Sequence, residues 1–155
     1  MRSREGRSLS RFRYHNAESF CWGLEEGLYR HDRAEMLYQS GIVVQLALSS
    51  HLLDMGFADE WNARHIRLDV VKSLAYANAT GFGHDCPDMA RLATILSPYW
   101  KWGHAHRLDE PRPDVGGFSI ETVLPLLRAL LDRVGEVTGH ASPKSGRSAE
   151  REART

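Results

Sequence analysis

Two short groups of histidine and cysteine carry the residue types that bind transition metals. One residue separates His84 from Cys86, and one residue separates His104 from His106. Three imidazoles and one thiolate form a tetrahedral ligand set that suits Zn²⁺. Against zinc, paired ligands in such sites usually have about two to four intervening residues, and histidines in loops are more often ordinary surface residues. Zinc is therefore the one cofactor that the sequence allows, and a protein without a cofactor is the default expectation.

Arginines and one helix pair carry the residue types that contact nucleic acid. An apolar pattern ends around Gly56 and an amphipathic pattern follows directly, which is the layout of a helix-turn-helix. The first 13 residues hold five arginines against one glutamate, as expected for an arm that neutralises phosphates. The candidate nucleic-acid contacts are Arg2, Arg4, Arg7, Arg11, Arg13, Asn62, Arg64 and Arg67.

The same segments have a structural interpretation, which the sequence favours. The second helix of the pair opens with Asp59 and Glu60, whose carboxylates would repel phosphates. Both predicted helices are also long, which suits a hairpin in a bundle better than a compact reading head. The basic arm could equally be a solvated tail, because the formal net charge of the chain is zero and its middle is therefore acidic.

An aromatic and basic group lies in the predicted loop 98–117. Tyr99, Trp100, Lys101 and Trp102 are consecutive, so exposed rings and a cation could hold a partner protein. Rings that cover one end of a helical core would have the same sequence, and large aromatic side chains usually bury most of their area. Both interpretations stay open, with core cover favoured.

Signatures of catalysis are mostly missing. The chain has no His-Glu-x-x-His, no phosphate-binding Gly-x-x-x-x-Gly-Lys and no Gly-x-Ser-x-Gly. His65 and Asp69 are one helical turn apart and could form an oriented base, but no nucleophile accompanies them. The sequence therefore favours a protein that is not an enzyme.

The periodicity of the apolar residues predicts an all-α fold. We expect a compact bundle of about five helices, built on a long central antiparallel hairpin, with charged flexible tails. Residues 1–13 form the basic flexible arm, 14–139 a single helical domain, and 140–155 a disordered tail. The predicted helices begin near Asn16, after Asp32, at Ala58, near Cys86 and after a Thr122 cap, and the third of them extends to Asn78.

The last predicted helix carries a heptad pattern of apolar residues. The pattern consists of Val123, Leu127, Leu130, Val134 and Val137. Such a seam can pack against the other helices of the chain or against its own copy in a dimer. Two heptads are too few for an independent coiled coil, so core packing is favoured and a homodimer remains the alternative.

Composition places the chain among proteins without a membrane anchor. It has 155 residues, 42% of them hydrophobic, with no apolar run of about 18 residues that could span a bilayer. Two cysteines are too few for a disulfide framework, so a cytoplasmic location is expected. The leading hypothesis is a non-enzymatic interaction or regulatory protein, in a homodimer, that binds another macromolecule. The alternatives are a transcription-regulator-like nucleic-acid-binding protein and a zinc-binding protein.

Overall fold

The computed structural model describes residues 3–66, 69–97 and 116–140, and every regular element in these ranges is an α-helix. The all-α prediction is therefore confirmed. None of the described helices combines the length and apolar character that a bilayer-spanning segment needs. The helices are α1 (Arg4–Glu25), α2 (Arg33–Asp54), α3 (Asp59–His65), α4 (Val70–Ala79), α5 (Pro87–Leu96) and α6 (Ile120–Thr138).

Helix α2 is the centre of the fold, and α1, α4, α5 and α6 all pack against it. Apolar side chains surround most of its circumference, as a helix that is enclosed by others requires. Its start is fixed by Asp32, whose carboxylate accepts a hydrogen bond from the Glu35 amide at 3.0 Å. It ends before Gly56, whose φ of 105° is readily adopted only by glycine. The predicted start of this helix, after Asp32, agrees with the observed one.

Helix α1 begins twelve residues earlier than the sequence predicts, so the expected flexible arm does not exist over residues 4–13. Ser3 caps the helix by accepting a hydrogen bond from the Gly6 amide at 2.9 Å. The N-terminal half packs through small and polar groups: Ser10 donates to the Ser50 carbonyl at 2.6 Å, and Ser50 donates to the Ser10 carbonyl at 2.7 Å. Because this contact is made by polar groups, the apolar pattern does not show it, which explains why the start of α1 was predicted too late.

The predicted third helix, residues 58–78, is two helices, α3 and α4, and this corrects the long central hairpin. The break lies before Asp69, whose carboxylate accepts a hydrogen bond from the Lys72 amide at 3.0 Å and caps α4. An aspartate inside a helical pattern can satisfy backbone donors locally and so start a new helix. Ile66 and Val70 are both buried, so the apolar stripe continues across the break.

Helix α6 is capped one turn earlier than expected. Ser119 is the N-cap, and its backbone amide donates to Thr122 Oγ1 at 2.8 Å in a capping box. Thr122, which we expected to be the cap, is thus the third residue of the helix. The helix ends at Gly139, which has a left-handed φ of 78°.

The heptad pattern of α6 lies in the core of the single chain. Val123, Leu127, Leu130 and Val134 are fully buried, and Val137 is half-buried against the same core. Their apolar area is covered by the chain's own helices, chiefly α2 and α1. This burial agrees with the favoured interpretation, core packing within the chain, and leaves little of these residues for the alternative, a dimer seam.

Candidate functional site

The arginines of α1 separate into two pairs with different surroundings. Arg7 donates to the buried carboxylate of Asp54 at 2.9 Å and to the Thr138 carbonyl at 3.3 Å. Arg13 donates to Ser49 Oγ at 2.9 Å and to Asp59 Oδ1 at 3.0 Å. Arg7 and Arg13 therefore hold the fold together. Arg4 and Arg11 are the other two described arginines of α1. Both are exposed, and neither makes such hydrogen bonds within the described residues.

The remaining candidate nucleic-acid contacts do not form a reading surface in the described residues. Asn62 is buried and donates to the Ala58 carbonyl at 3.2 Å. Arg64 is exposed on α3, while Arg2 and Arg67 lie outside the described residues. Helix α3 has only 7 residues, and Asp59 in its acidic first turn forms an ion pair with Arg13. The geometry favours a structural element over a recognition helix.

Half of the candidate zinc ligands lie in the part of the chain that the structure describes. Cys86 occupies the N-cap position of α5, and the backbone amide of His84 donates to Asn78 Oδ1 at 2.9 Å. Burial, and then the positive charge of Arg133, lower the pKa of His84. Over residues 3–66, 69–97 and 116–140, no three potential ligands come together. His104 and His106 lie outside these ranges, so zinc stays a prediction.

The aromatic group of the loop also lies outside the described residues. Tyr99, Trp100, Lys101 and Trp102 belong to the segment 98–115. Their predicted role in partner binding is untested.

A surface that the sequence did not reveal runs along α1. Phe12 and Trp22 are 61% and 57% exposed, on the side of the helix away from α2 and α6. Exposed Arg4, Arg11, His15, Ser19 and Glu26 share this side at helical spacing. We call these seven residues the outer face of α1. Phe20 of α1 is also exposed, because the buried side of the helix consists of Ser10, Tyr14, Ala17, Cys21 and Leu24.

A polar cleft of about 490 Å³ opens between α1, α2, α3 and α4. Three buried polar residues, Ser49, Asn62 and Ser73, line it. Arg13 and Asp59 form an ion pair at its margin. The remaining lining side chains are Gln45, Ala63 and Ile66.

A serine and a histidine make a close contact deep in the protein. Ser10 Oγ lies 2.8 Å from His140 Nε2, the distance of a nucleophile and its base. Ser10 is fully buried, however, and also bonds to Ser50, so a substrate has no route to its hydroxyl in this conformation. The pair ties the end of α6 to α1. His140, which we expected to belong to the disordered tail, is thus buried against α1.

A second polar contact joins α1 to α6 around a thiol. Arg128 forms ion pairs with Glu18, at 3.2 Å, and with Glu25. The Cys21 thiol donates to Glu25 Oε1 at 3.3 Å. Burial, reinforced by that hydrogen bond, raises the pKa of Cys21 to about 12. Cys21 is therefore a protonated structural thiol and not a nucleophile.

Part of the chain is similar to a known protein. A stretch of 93 residues is 34% identical to a homoserine O-acetyltransferase of Streptococcus sanguinis. The match covers 54% of this chain and 30% of the enzyme, so the chain spans about a third of its relative. No family model matches the sequence. No solved structure matches it either.

Proposed function

We propose that this chain is a non-enzymatic interaction protein that binds another protein chain through the outer face of α1. The observation that carries the proposal is the exposure of Phe12 and Trp22 on a helix that the rest of the fold holds in place. Large aromatic side chains and arginines are enriched among residues that dominate the energy of protein interfaces. A face that presents both types is suited to binding.

The partner that this face fits best is a second copy of the chain. In an antiparallel pair of α1 helices, related by a twofold axis near the middle of the helix, Phe12 of each copy lies opposite Trp22 of the other. The same arrangement brings the basic end of the face, with Arg4 and Arg11, toward Glu26 at its other end. Charge and aromatic packing therefore agree on one geometry. We therefore propose that the homodimer forms through α1 and not through the heptad pattern of α6.

The burial of Ser10 and Cys21 supports a role without catalysis. Among the described residues, Ser10 and Cys21 have the partners of reactive groups, but both are fully buried. The acetyltransferase activity of the similar enzyme does not enter the proposal, because the match covers only 30% of that protein. We also propose a cytoplasmic location, since Cys21 and Cys86 are both free thiols.

Sedimentation across a concentration series tests the dimer. We expect the Phe12→Ser, Trp22→Ser double variant to be monomeric at concentrations where the native chain is a dimer, with a dimer dissociation constant raised by at least about a hundredfold. Both side chains are exposed in the single chain, so its melting temperature should change little. Val71→Ser, at another exposed apolar residue on α4, is the matched control and should remain dimeric.

A charge exchange tests the antiparallel geometry. Arg11→Glu should weaken the dimer, because it places a carboxylate near Glu26 of the second copy. Adding Glu26→Arg should restore most of the lost affinity. A native chain that stays monomeric at about 1 mM, or a double serine variant that still dimerises, overturns the proposal.

Nucleic-acid binding is the second candidate function, favoured by the exposed positions of Arg4 and Arg11 beside the exposed ring of Phe12. Cations interleaved with rings can follow a phosphate backbone and stack on bases. Fluorescence anisotropy with single-stranded and duplex DNA at low salt tests it. Affinity that is lost in an Arg4→Gln, Arg11→Gln variant and falls steeply with salt would support this function. An absence of binding at low salt would exclude it.

A further inference from the structure

We infer that the polar cleft between α1, α2, α3 and α4 is a binding site for a small zwitterion of the amino-acid type, with a carboxylate and an ammonium group. The site goes beyond the proposed function, because Arg13 lies on a different side of α1 from Phe12 and Trp22. The two proposals can therefore fail separately.

The size and lining of the cleft fit a small polar ligand. Its volume of about 490 Å³ lies within the usual range of ligand pockets. Ser49, Asn62 and Ser73 place two hydroxyl groups and one amide in its buried part. Such groups supply directed hydrogen bonds, which a ligand made only of carbon would leave unused.

The charges of the lining select the ligand class. Among the described residues that line the cleft, Arg13 and Asp59 carry charges, and they form an ion pair at 3.0 Å. A simple anion bound to Arg13 would lie beside the Asp59 carboxylate, and a simple cation bound to Asp59 would lie beside the guanidinium. A ligand that carries both charges offers a negative group to Arg13 and a positive group to Asp59. Ala63 and Ile66 provide an apolar wall for its carbon atoms.

The ion pair is able to open for such a ligand. Arg13 is about a quarter exposed and Asp59 about half exposed, so water already screens their attraction. The hydrogen bond from Arg13 to Ser49 at 2.9 Å holds the guanidinium in place when Asp59 turns toward the ligand. The remaining N–H groups of the guanidinium can then receive a carboxylate in a bidentate contact.

A titration followed by NMR of the ¹⁵N-labelled full chain tests the site. The probes are the proteinogenic L-amino acids, each added to about 10 mM, with acetate and ethylammonium as the two separate charges. We expect at least one amino acid to give saturable shifts of the α3 amides and of Ser49. Acetate and ethylammonium should bind at least about tenfold more weakly.

Paired variants separate recognition from a general effect on the fold. Asp59→Asn and Arg13→Gln should each weaken binding at least about tenfold, whereas the neighbouring exposed changes Glu60→Gln and Arg64→Gln should not. Ala63→Leu fills the cleft and leaves the ion pair intact, so it should abolish binding in a folded chain, even where Arg13→Gln fails to fold.

Three results would overturn the inference. The first is that no amino acid gives saturable shifts. The second is that an amino acid binds equally well to the Asp59→Asn and Ala63→Leu variants. The third is that acetate alone binds as tightly as any amino acid. The last result would identify a simple anion site.

Discussion

At the scale of single residues, the arginines of α1 show how one residue type takes two roles within a few positions. Arg7 reaches the carboxylate of Asp54, which is 2% exposed, whereas Arg11 extends into solvent one turn later. Removing Arg7 takes a guanidinium away from a buried carboxylate, whereas removing Arg11 leaves the core unchanged.

We therefore expect Arg7→Ala to lower the free energy of unfolding by about 1–3 kcal/mol, and Arg11→Ala to change it by less than about 0.5 kcal/mol. The lower end applies if water reaches Asp54 in the variant, since Arg7 itself is 44% exposed. Urea unfolding followed by circular dichroism measures both. Equal effects would mean that residues 4–13 are a flexible arm after all.

The sequence alone could not show that Arg7 contacts a buried carboxylate whereas Arg11 faces solvent. The Asp54 partner of Arg7 lies 47 residues further along the chain, and the Ser50 and His140 partners of Ser10 lie 40 and 130 residues further along. Local periodicity contains no information on such pairs. Arg13 and Asn62 were predicted to contact nucleic acid, yet both line the polar cleft. Asp59 lines it as well, and its negative charge offsets the positive charge of Arg13.

At the scale of helices, the predicted limits were accurate where apolar periodicity and capping residues agree. The ranges of α2 and α5 were predicted closely because capping residues and apolar stripes agree. Helix α1 was predicted too short because its buried side includes Ser10, Ala17 and Cys21. The break before α4 was missed because Ile66 and Val70 continue one stripe across it.

The burial of the heptad seam leads to a prediction for α6. Leu130→Ala should lower the free energy of unfolding by about 2–5 kcal/mol, since it leaves a cavity among fully buried neighbours. Leu126→Ala, on the same helix but only partly buried, should cost clearly less. Urea unfolding of both variants checks the order. If Leu130→Ala changed the dimer constant and left the stability of the monomer unaltered, the seam would be an interface.

At the scale of the whole molecule, two polar clusters fasten α1 to the rest of the bundle. One joins Arg7 and Ser10 to the ends of α2 and α6, and the other joins Glu18 and Cys21 to Arg128. Both the outer face of α1 and the cleft margin at Arg13 depend on this attachment. A direct measure of whether α1 stays docked therefore bears on both proposed surfaces.

Cys21 provides that measure, because it is fully buried on the side of α1 that meets α6, whereas Cys86 is only half-buried. With iodoacetamide under native conditions we expect one thiol per chain to react, and none in a Cys86→Ser variant, since the pKa of Cys21 is raised to about 12. In urea both should react. Arg7→Ala should speed the native reaction of Cys21 by roughly the factor that its loss of stability implies, about tenfold per 1.4 kcal/mol, because opening must precede modification. If Cys21 instead reacted as fast as Cys86 in the native chain, α1 would not be held in place, and neither its outer face nor the cleft would have the rigid support that binding requires.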